Sequence, residues 1–280
     1  MKKELNRIKY NYIDPSGNIT ILVESEITAT EQSEVAKRMM DAEPECEQVG
    51  FVRKSSQRVR LRMAGGEFCG NAVMSAAALL CDDTALNVNE TRSVTVESSG
   101  ADDPIQVDIT RLENEDDLHI FRGKVDMPLP RRVTSKKLSF NGAEYELPVV
   151  EFEGIAHIIC MPQVLLLTQE ETEQALRSWI DNFNTECIGI MLISSADDKS
   201  CNEQGDSSDI EMSVRPLVYV PAVDTCVWER SCASGTTAIG AYYSDIRPGA
   251  DINITAHEPG GTLEVSVTEG HLYLNGSVKI

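Results

Sequence analysis

Short runs of apolar and β-branched residues, many of them alternating with polar residues, recur along most of the chain. Such runs predict half-buried or buried β-strands. In the first half they cover residues 19–23, 59–63, 94–96 and 105–109. In the second half they cover residues 149–152, 156–160, 188–193, 217–220, 252–255, 263–267 and 272–280.

Helical spacing appears at matching places in the two halves. Residues 30–40 begin at a threonine, and Thr168-Gln169-Glu170-Glu171 is a capping box before the apolar positions of a second helix. Each half of the chain is therefore predicted to contain strands, a helix that starts at threonine, more strands and a final apolar helix. We expect a duplicated architecture with a boundary within residues 117–123. The Ser- and Asp-rich residues 194–213 are expected to be a surface loop inserted in the second half.

A cysteine precedes the last helix of each half. Gly66-Glu67-Phe68-Cys69-Gly70-Asn71-Ala72 leads into one apolar run, and Glu229-Arg230-Ser231-Cys232-Ala233-Ser234-Gly235-Thr236 leads into the other. The free N–H groups and the positive dipole end of a helix start favour a thiolate. Two such cysteines predict a proton-transfer pair that acts on opposite faces of one carbon. The alternative is that Cys69 and Cys232 only pack in two turns.

The composition narrows the classes of function. With 280 residues, of which 41% are apolar, the chain can bury one large core or two medium ones. The net charge of −20 argues against a nucleic-acid partner, because phosphate binding needs clustered Lys and Arg. No stretch reaches about 18 continuous apolar residues, and no signal peptide is expected before Lys2-Lys3-Glu4-Leu5. We therefore expect a soluble, cytoplasmic protein with no membrane partner.

Eight cysteines and four histidines do not form a metal-binding pattern. No Cys-x-x-Cys pair occurs, and the histidines are scattered, so we expect no metal and reduced thiols. Cys201 is expected to be exposed in the polar loop. The remaining cysteines are expected to be buried small hydrophobic residues: Cys46, Cys81, Cys160, Cys187 and Cys226. No phosphate-binding loop or dinucleotide motif is present, although the sequence leaves a pyridoxal Schiff-base lysine open.

The predicted chemistry is inversion of an amino acid at its α-carbon. The α-proton is very weakly acidic, so one thiolate must remove it from a dry, aligned position while a thiol delivers a proton to the other face. The backbone N–H groups at both helix starts would bind the substrate carboxylate. We assign this task to Gly70, Asn71, Ser234 and Gly235.

The two cysteine motifs resemble those of the cofactor-independent racemases and epimerases related to diaminopimelate epimerase. Pro15-Ser16-Gly17-Asn18-Ile19-Thr20 is similar to an early segment of that family, in which the Asn contacts substrate. The resemblance implies an α+β fold of two lobes, each a β-barrel-like sheet around a central helix, with the active site in the cleft between them. It implies no cofactor. The N-terminal lobe would be residues 1–120 with the strand 268–280, and the C-terminal lobe residues 121–267.

The histidine racemase branch, which supplies D-histidine for opine-type metallophores, resembles the chain more closely. The similarity lies in Cys46-Glu47-Gln48-Val49-Gly50-Phe51, in the two cysteine motifs and in His257-Glu258-Pro259-Gly260-Gly261. It implies that Glu47 binds a substrate imidazole N–H, although a solvated loop carboxylate is the alternative. Glu229 is a candidate site carboxylate by its similarity to proline racemase motifs. Ala233, where the family has Gly, and the cation Arg230 depart from the pattern.

The sequence thus predicts a cofactor-independent racemase of a free amino acid, with histidine as the expected substrate. Cys69 and Cys232 would exchange the roles of base and acid in the two directions. Its partner would be a small-molecule amino acid, and a homodimer stays open. Two alternatives remain at this stage. One is an epimerase or racemase of another amino acid, such as diaminopimelate or a proline-like ring. The other is a non-catalytic protein that uses the thiol pair for redox sensing or binds amino acids.

Overall fold

The computed structural model describes residues 7–161, 165–198 and 207–280. They divide into two compact units. Unit 1 runs up to Asp126 and also includes Asn275–Ile280, and unit 2 is Met127–Leu274. The chain thus passes from unit 1 to unit 2 after Asp126 and returns to unit 1 at Asn275.

The described residues of unit 1 form seven consecutive strands and two α-helices. The strands are β1 (Tyr10–Pro15), β2 (Thr20–Val23), β3 (Gln48–Lys54), β4 (Arg58–Met63), β5 (Thr91–Ser98), β6 (Ile105–Arg111) and β7 (Ile120–Met127). The helices are α1 (Gln32–Ala42) and α2 (Gly70–Asp83). The strands follow one another in the sheet in chain order. The pairs β2–β3 and β4–β5 are parallel, and α1 and α2 respectively form the connections that parallel pairs need.

The described residues of unit 2 repeat this plan with nine strands, of which the last continues into unit 1, and two α-helices. Two short 3-10 helices, Ile180–Asn182 and Pro221–Val223, lie between these elements. The strands are β8 (Arg132–Phe140), β9 (Ala143–Glu151), β10 (Ile155–Cys160), β11 (Cys187–Asp198), β12 (Ser207–Val220), β13 (Thr225–Trp228), β14 (Asp251–Glu258), β15 (Gly261–Thr268) and β16 (His271–Lys279). The helices are α3 (Gln169–Trp179) and α4 (Ala233–Ile246). The sheet order is β8-β9-β10-β11-β12-β14-β15-β16, and β13 pairs with β12.

The end of β16 completes the sheet of unit 1. From Asn275 onward the strand belongs to that unit, lies next to β7 and pairs antiparallel with β1 in the register Asp14↔Lys279. The backbone N–H of Ser16 also donates to the carbonyl of Ser277 at 2.9 Å. Eight strands therefore form a closed sheet, which leaves no strand edge to pair with other chains.

A helix that is apolar on every side lies in the core of each unit. All residues of α2 from Gly70 to Cys81 are buried, and so are those of α4 from Ala233 to Ala241. Helices with this composition have no polar face to turn to water and belong in an interior. Two glycines permit the close packing: a Cβ at Gly123 would overlap Met74 of α2, and a Cβ at Gly240 of α4 would overlap Val265.

The predicted α+β fold, with sheet units around central helices, is confirmed. The capping box at Thr168 is present, whereas α1 begins at Gln32 after Glu31, with no side-chain cap, rather than at Thr30. Burial is also confirmed for Cys46, Cys81, Cys160 and Cys187, and Cys226 is half-buried. Among the described residues, no helix combines the length and apolar character that a membrane crossing requires.

The expected loop at 194–213 is wrong at both ends. Strand β11 continues to Asp198 and β12 begins at Ser207, and these ends pair in the register Asp198↔Ile210. Backbone hydrogen bonds hold such a pair together whatever its side chains are, so polar composition did not reveal it. The prediction for Cys201 falls outside the described residues.

Candidate active site

Cys69 is the N-cap residue of α2. Its backbone is extended, with φ −136° and ψ 109°, and its sulfur accepts a hydrogen bond from the N–H of Ala72 at 3.4 Å. The thiol also donates to Oε1 of Gln48 at 2.9 Å. The residue is only partly buried. A sulfur at this position lies where the free N–H groups and dipole of the helix start stabilise negative charge.

A hydrogen-bonded network fixes the amide that faces Cys69. The parallel register Thr20↔Gln48 places the start of β3 beside β2. The amide nitrogen of Gln48 donates to Oδ1 of Asn18 and to Oγ1 of Thr20, the latter at 2.8 Å. Asn18 in turn donates to Oε2 of Glu47 at 2.7 Å. Because both amide hydrogens are engaged, the carbonyl oxygen of Gln48 is held toward the thiol.

Cys232 occupies the corresponding position at the start of α4. Its backbone is again extended, with φ −128° and ψ 99°, but the residue is only 4% exposed. The N–H of Cys232 donates to Oε2 of Glu258 at 2.6 Å, and the hydroxyl of Thr236 donates to Oε1 at 2.6 Å. Glu258 is itself buried, at 8% exposure. A carboxylate here is favoured by the helix dipole.

Burial raises the pKa of the Cys232 thiol well above its ordinary value. The negative charges of Glu229 and Glu258 raise this pKa further, and so does a hydrogen bond with Glu229. The backbone N–H of Gly235 acts in the opposite direction with a smaller influence. Cys232 is therefore a protonated thiol at neutral pH, and at this position it can give a proton rather than take one.

Two further polar side chains line up behind Cys232. The hydroxyl oxygen of Ser234 lies 3.7 Å from the Cys232 sulfur, and Nε2 of His157 lies 2.9 Å from the same hydroxyl oxygen. His157 is fully buried in the middle of β10, and burial lowers its pKa to about 3. Its imidazole is therefore neutral.

Each unit groups its own predicted site residues at the start of its central helix. In unit 1 the side chain of Gln48 bonds to Asn18 and to Cys69, and Asn18 bonds to Glu47. Gly70 and Asn71 form the buried first turn of α2. In unit 2 the first residues of α4 are Ala233, Ser234 and Gly235, and Glu229 acts on the thiol of Cys232. Arg230 is exposed, and its carbonyl accepts the N–H of Gly260 at 2.7 Å.

Sequence reasoning did not assign a role to Gln48, Glu258 or His157. The first two lie inside the segments that carry the family resemblance, which was a usable signal. His157 stands alone in a run of apolar residues and is 77 positions from Ser234. Only the register of β10 in the sheet reveals this contact.

Comparison with solved structures supports an epimerase-like fold. A structure described as a predicted epimerase from Pseudomonas aeruginosa superimposes with a TM-score of 0.60. The match covers 97% of this chain and 96% of the other, with 13% sequence identity. Similarity at this level of identity establishes the fold and nothing further.

Sequence comparison establishes the family. The family described as "Histidine racemase CntK N-terminal domain" matches residues 7–280. A histidine racemase of Staphylococcus aureus (strain Mu50) is 30% identical over 272 residues, covering 94% of this chain and 90% of that protein. A histidine racemase of Fusobacterium nucleatum (strain ATCC 23726) is 30% identical over 271 residues, covering 96% and 92%. The chain belongs to the histidine racemase family and is an isomerase of the racemase class.

Proposed function

We propose that the protein interconverts L-histidine and D-histidine without a cofactor, using Cys69 and Cys232 as a two-base pair. The observation that carries this proposal is that each unit has a cysteine as the N-cap of its buried central helix. The family membership and the two named histidine racemases support histidine as substrate. The proposal includes action on the free amino acid in the cytoplasm, with D-histidine used for a metallophore and with no nucleic-acid or membrane partner.

The reaction balances without an external reactant. A thiolate removes the α-proton and becomes a thiol, while the electron pair of the broken C–H bond spreads into the substrate carboxylate. The second thiol then delivers its proton to the opposite face of the carbon and becomes a thiolate. The N–H groups at the helix starts, including those of Gly70, Asn71 and Ser234, stabilise the charge that develops on the carboxylate.

The surroundings of the sulfurs assign their starting roles. The pKa of Cys232 is raised, so this residue begins the cycle as the proton donor. Cys69 then begins as the base for the enantiomer whose α-proton faces it. In the reverse direction the two residues exchange roles, as microscopic reversibility requires.

Side-chain recognition is assigned to the polar network beside Cys69. Glu47 offers a carboxylate and is held by Asn18, whose own partner Gln48 contacts the Cys69 thiol. A carboxylate within this network suits an imidazole N–H as its donor, because hydrogen bonds with an ionised partner are the stronger kind.

The test of the function is α-proton exchange. The protein is incubated with L-histidine in D2O, loss of the α-proton is followed by NMR, and D-histidine is measured by chiral chromatography. We expect deuterium in the D-histidine and equal amounts of both enantiomers at the end. Protein dialysed against a chelator and treated with hydroxylamine should keep its rate. If none of a panel of amino acids, including diaminopimelate and proline, exchanges its α-proton, the function is rejected.

Single cysteine variants test the mechanism. Cys69→Ala and Cys232→Ala should each lower the racemisation rate by about 100- to 10,000-fold, the usual contribution of a general acid or base. Cys81→Ala and Cys160→Ala are matched controls, because Cys81 is buried near the C-terminal end of α2 and Cys160 is buried in the apolar cluster that packs around α3. A Cys69 or Cys232 variant with the rate of these controls would rule out the two-base pair.

A further inference from the structure

His157 is locked in place on β10. Its Cα partner on β11 is Gly189, where a Cβ would overlap the imidazole, so the ring lies directly against the neighbouring strand. On another side the ring of Phe152 meets it edge-on, with centroids 6.5 Å apart and planes at 73°. A buried imidazole with this packing has little freedom to turn, and its Nε2 stays directed at Ser234.

The partners of the ring nitrogens indicate which one carries the hydrogen. Neutral imidazole has one donor and one acceptor nitrogen. Within the part of the chain that the structure describes, Nδ1 of His157 has no hydrogen-bond partner. A buried N–H without an acceptor loses its hydrogen bond to water and gains none in return, whereas under-satisfied acceptors are tolerated more readily. The hydrogen therefore belongs on Nε2, which donates to the Ser234 hydroxyl oxygen.

This tautomer decides the direction of the next contact. When the Ser234 oxygen accepts from Nε2 of His157, its own hydrogen is free to point at the Cys232 sulfur, 3.7 Å away. A hydroxyl that donates to sulfur stabilises the thiolate relative to the thiol. This hydrogen bond lowers the pKa of Cys232, whereas the two nearby carboxylates, those of Glu229 and Glu258, raise it. Burial alone sets the neutral state of His157, with no charged group contributing.

We propose that His157 is a positioning residue that holds the Ser234 hydroxyl as a hydrogen-bond donor to the sulfur of Cys232. The relay stabilises the Cys232 thiolate in the half of the cycle in which that residue has given up its proton. Its catalytic consequence rests on the function proposed above. Its effect on the thiol can be measured without turnover.

The experiment measures the pH dependence of alkylation at Cys232. Full-length protein is treated with iodoacetamide from pH 7 to pH 11, and modification of the Cys232 peptide is quantified by mass spectrometry. In His157→Phe and Ser234→Ala we expect the apparent pKa of Cys232 to rise by about one unit, which means alkylation about tenfold slower at a fixed pH below it. His157→Gln, which can place an N–H near the position of Nε2, should keep the wild-type profile.

A double variant separates a relay from a packing effect. If His157 acts through Ser234, then His157→Phe with Ser234→Ala should match Ser234→Ala alone, because neighbours that share one interaction are not additive. An unchanged pKa in His157→Phe, or fully additive effects, would overturn the proposal. The Cys69 peptide in the same samples is the internal control and should not change.

The remaining outcomes are also decisive. If His157→Phe does not fold by circular dichroism, Ser234→Ala and His157→Gln still give opposite expectations for the Cys232 profile. The kcat of foldable variants should show the same shift along the pH axis. If His157→Phe and Ser234→Ala show the alkylation shift but the wild-type protein racemises no amino acid, the proposed function is rejected and the relay stands. If the wild-type protein is an active racemase but the variants lack the alkylation shift, only the relay is rejected.

Discussion

Cys69 and Cys232 have the same backbone position but different side-chain surroundings. Both are extended N-cap residues of helices that form the cores of their units. Cys69 is partly exposed and donates to the amide oxygen of Gln48. Cys232 is 4% exposed and is surrounded by two carboxylates, a hydroxyl and, behind the hydroxyl, a buried imidazole.

A duplicated backbone can therefore place two cysteine sulfurs in equivalent positions and still give them different affinities for a proton. The backbone fixes where each sulfur lies, and the neighbouring side chains set how tightly it holds a proton. The two-base mechanism proposed above needs one thiolate and one thiol at the same moment, and unequal surroundings would give it a defined starting state. The following predictions alter this inequality.

The largest expected effect is a loss of stability in acid that begins in unit 2. The pKa of buried His157 is about 3 rather than 6.5, so below pH 6.5 the unfolded chain binds a proton that the folded chain does not. Stability is therefore lost as the pH falls from 6.5 towards 3, by about 1.4 kcal/mol for each pH unit and about 5 kcal/mol in all. Urea unfolding at pH 7 and pH 5 should show a loss of about 2 kcal/mol, which the non-titrating His157→Gln should lack.

Unit 1 provides the contrast for this measurement. Burial raises the pKa of Glu24, but hydrogen bonds from Lys54, Asn11 and Lys9 outweigh burial and lower this pKa from 4.5 to about 2. Its stabilising contribution is therefore present above pH 4.5 and is lost between 4.5 and 2. Hydrogen exchange at pH 5 should show weaker protection in unit 2 than in unit 1. Equal protection would contradict the assignment of the acid-sensitive group to unit 2.

Removal of a carboxylate from the Cys232 site should have the next largest effect. Glu258→Ala leaves the N–H of Cys232 without its acceptor, so we expect the free energy of unfolding to fall by about 1–3 kcal/mol. The same change removes a negative charge near the thiol, and Cys232 should alkylate faster at pH 8. The exposed Glu264→Ala is the control, expected within about 0.5 kcal/mol of wild type. Slower alkylation of Cys232 in Glu258→Ala would contradict this reading of the site.

In the unaltered protein the two thiols should react at different rates. At pH 7.5 we expect iodoacetamide to modify Cys69 about tenfold faster than Cys232, because Cys232 is buried and its pKa is raised. Mass spectrometry of the two peptides over time gives both rates in one sample. Equal rates would mean that the two surroundings do not distinguish the sulfurs.

The smallest expected effect comes from making the first site resemble the second. Gln48→Glu puts a carboxylate where an amide now accepts from the Cys69 thiol, and a neighbouring negative charge disfavours the thiolate. Alkylation of Cys69 at pH 7.5 should slow by about threefold to fivefold, a modest shift because the residue is partly exposed. Gln48→Met keeps the length without the charge and serves as the control. No slowing in Gln48→Glu would show that the side chain at 48 does not control the proton of Cys69.

Local sequence signals made part of both cysteine sites predictable. Small-residue turns before apolar runs located both cysteines at helix starts, and the capping box located the start of α3. These features depend on a few consecutive residues, so the sequence contains the whole reason for them. The core strands were predictable for the same reason, because their alternation of apolar and polar residues is local.

The remaining parts depend on strand register. The parallel pairing of β2 and β3 places Gln48 beside Asn18 and Thr20, which hold its side chain where it contacts Cys69. His157 reaches Ser234 because β10 lies beside the start of α4. No local pattern around either residue indicates which partner it contacts, although the segment that contains Gln48 carries the family resemblance. The polar ends of β11 and β12 were missed because their pairing is carried by the backbone.

The late return of β16 to unit 1 has a consequence for biosynthesis. Strands β1 to β7 leave the ribosome before unit 2, yet their sheet lacks its eighth member until residues 275–279 have been translated. At ordinary elongation rates the intervening residues take roughly 7 to 30 s to make. During that interval β1 and β7 are open edges on a nascent polypeptide, where neighbouring chains on the same polysome could add a strand.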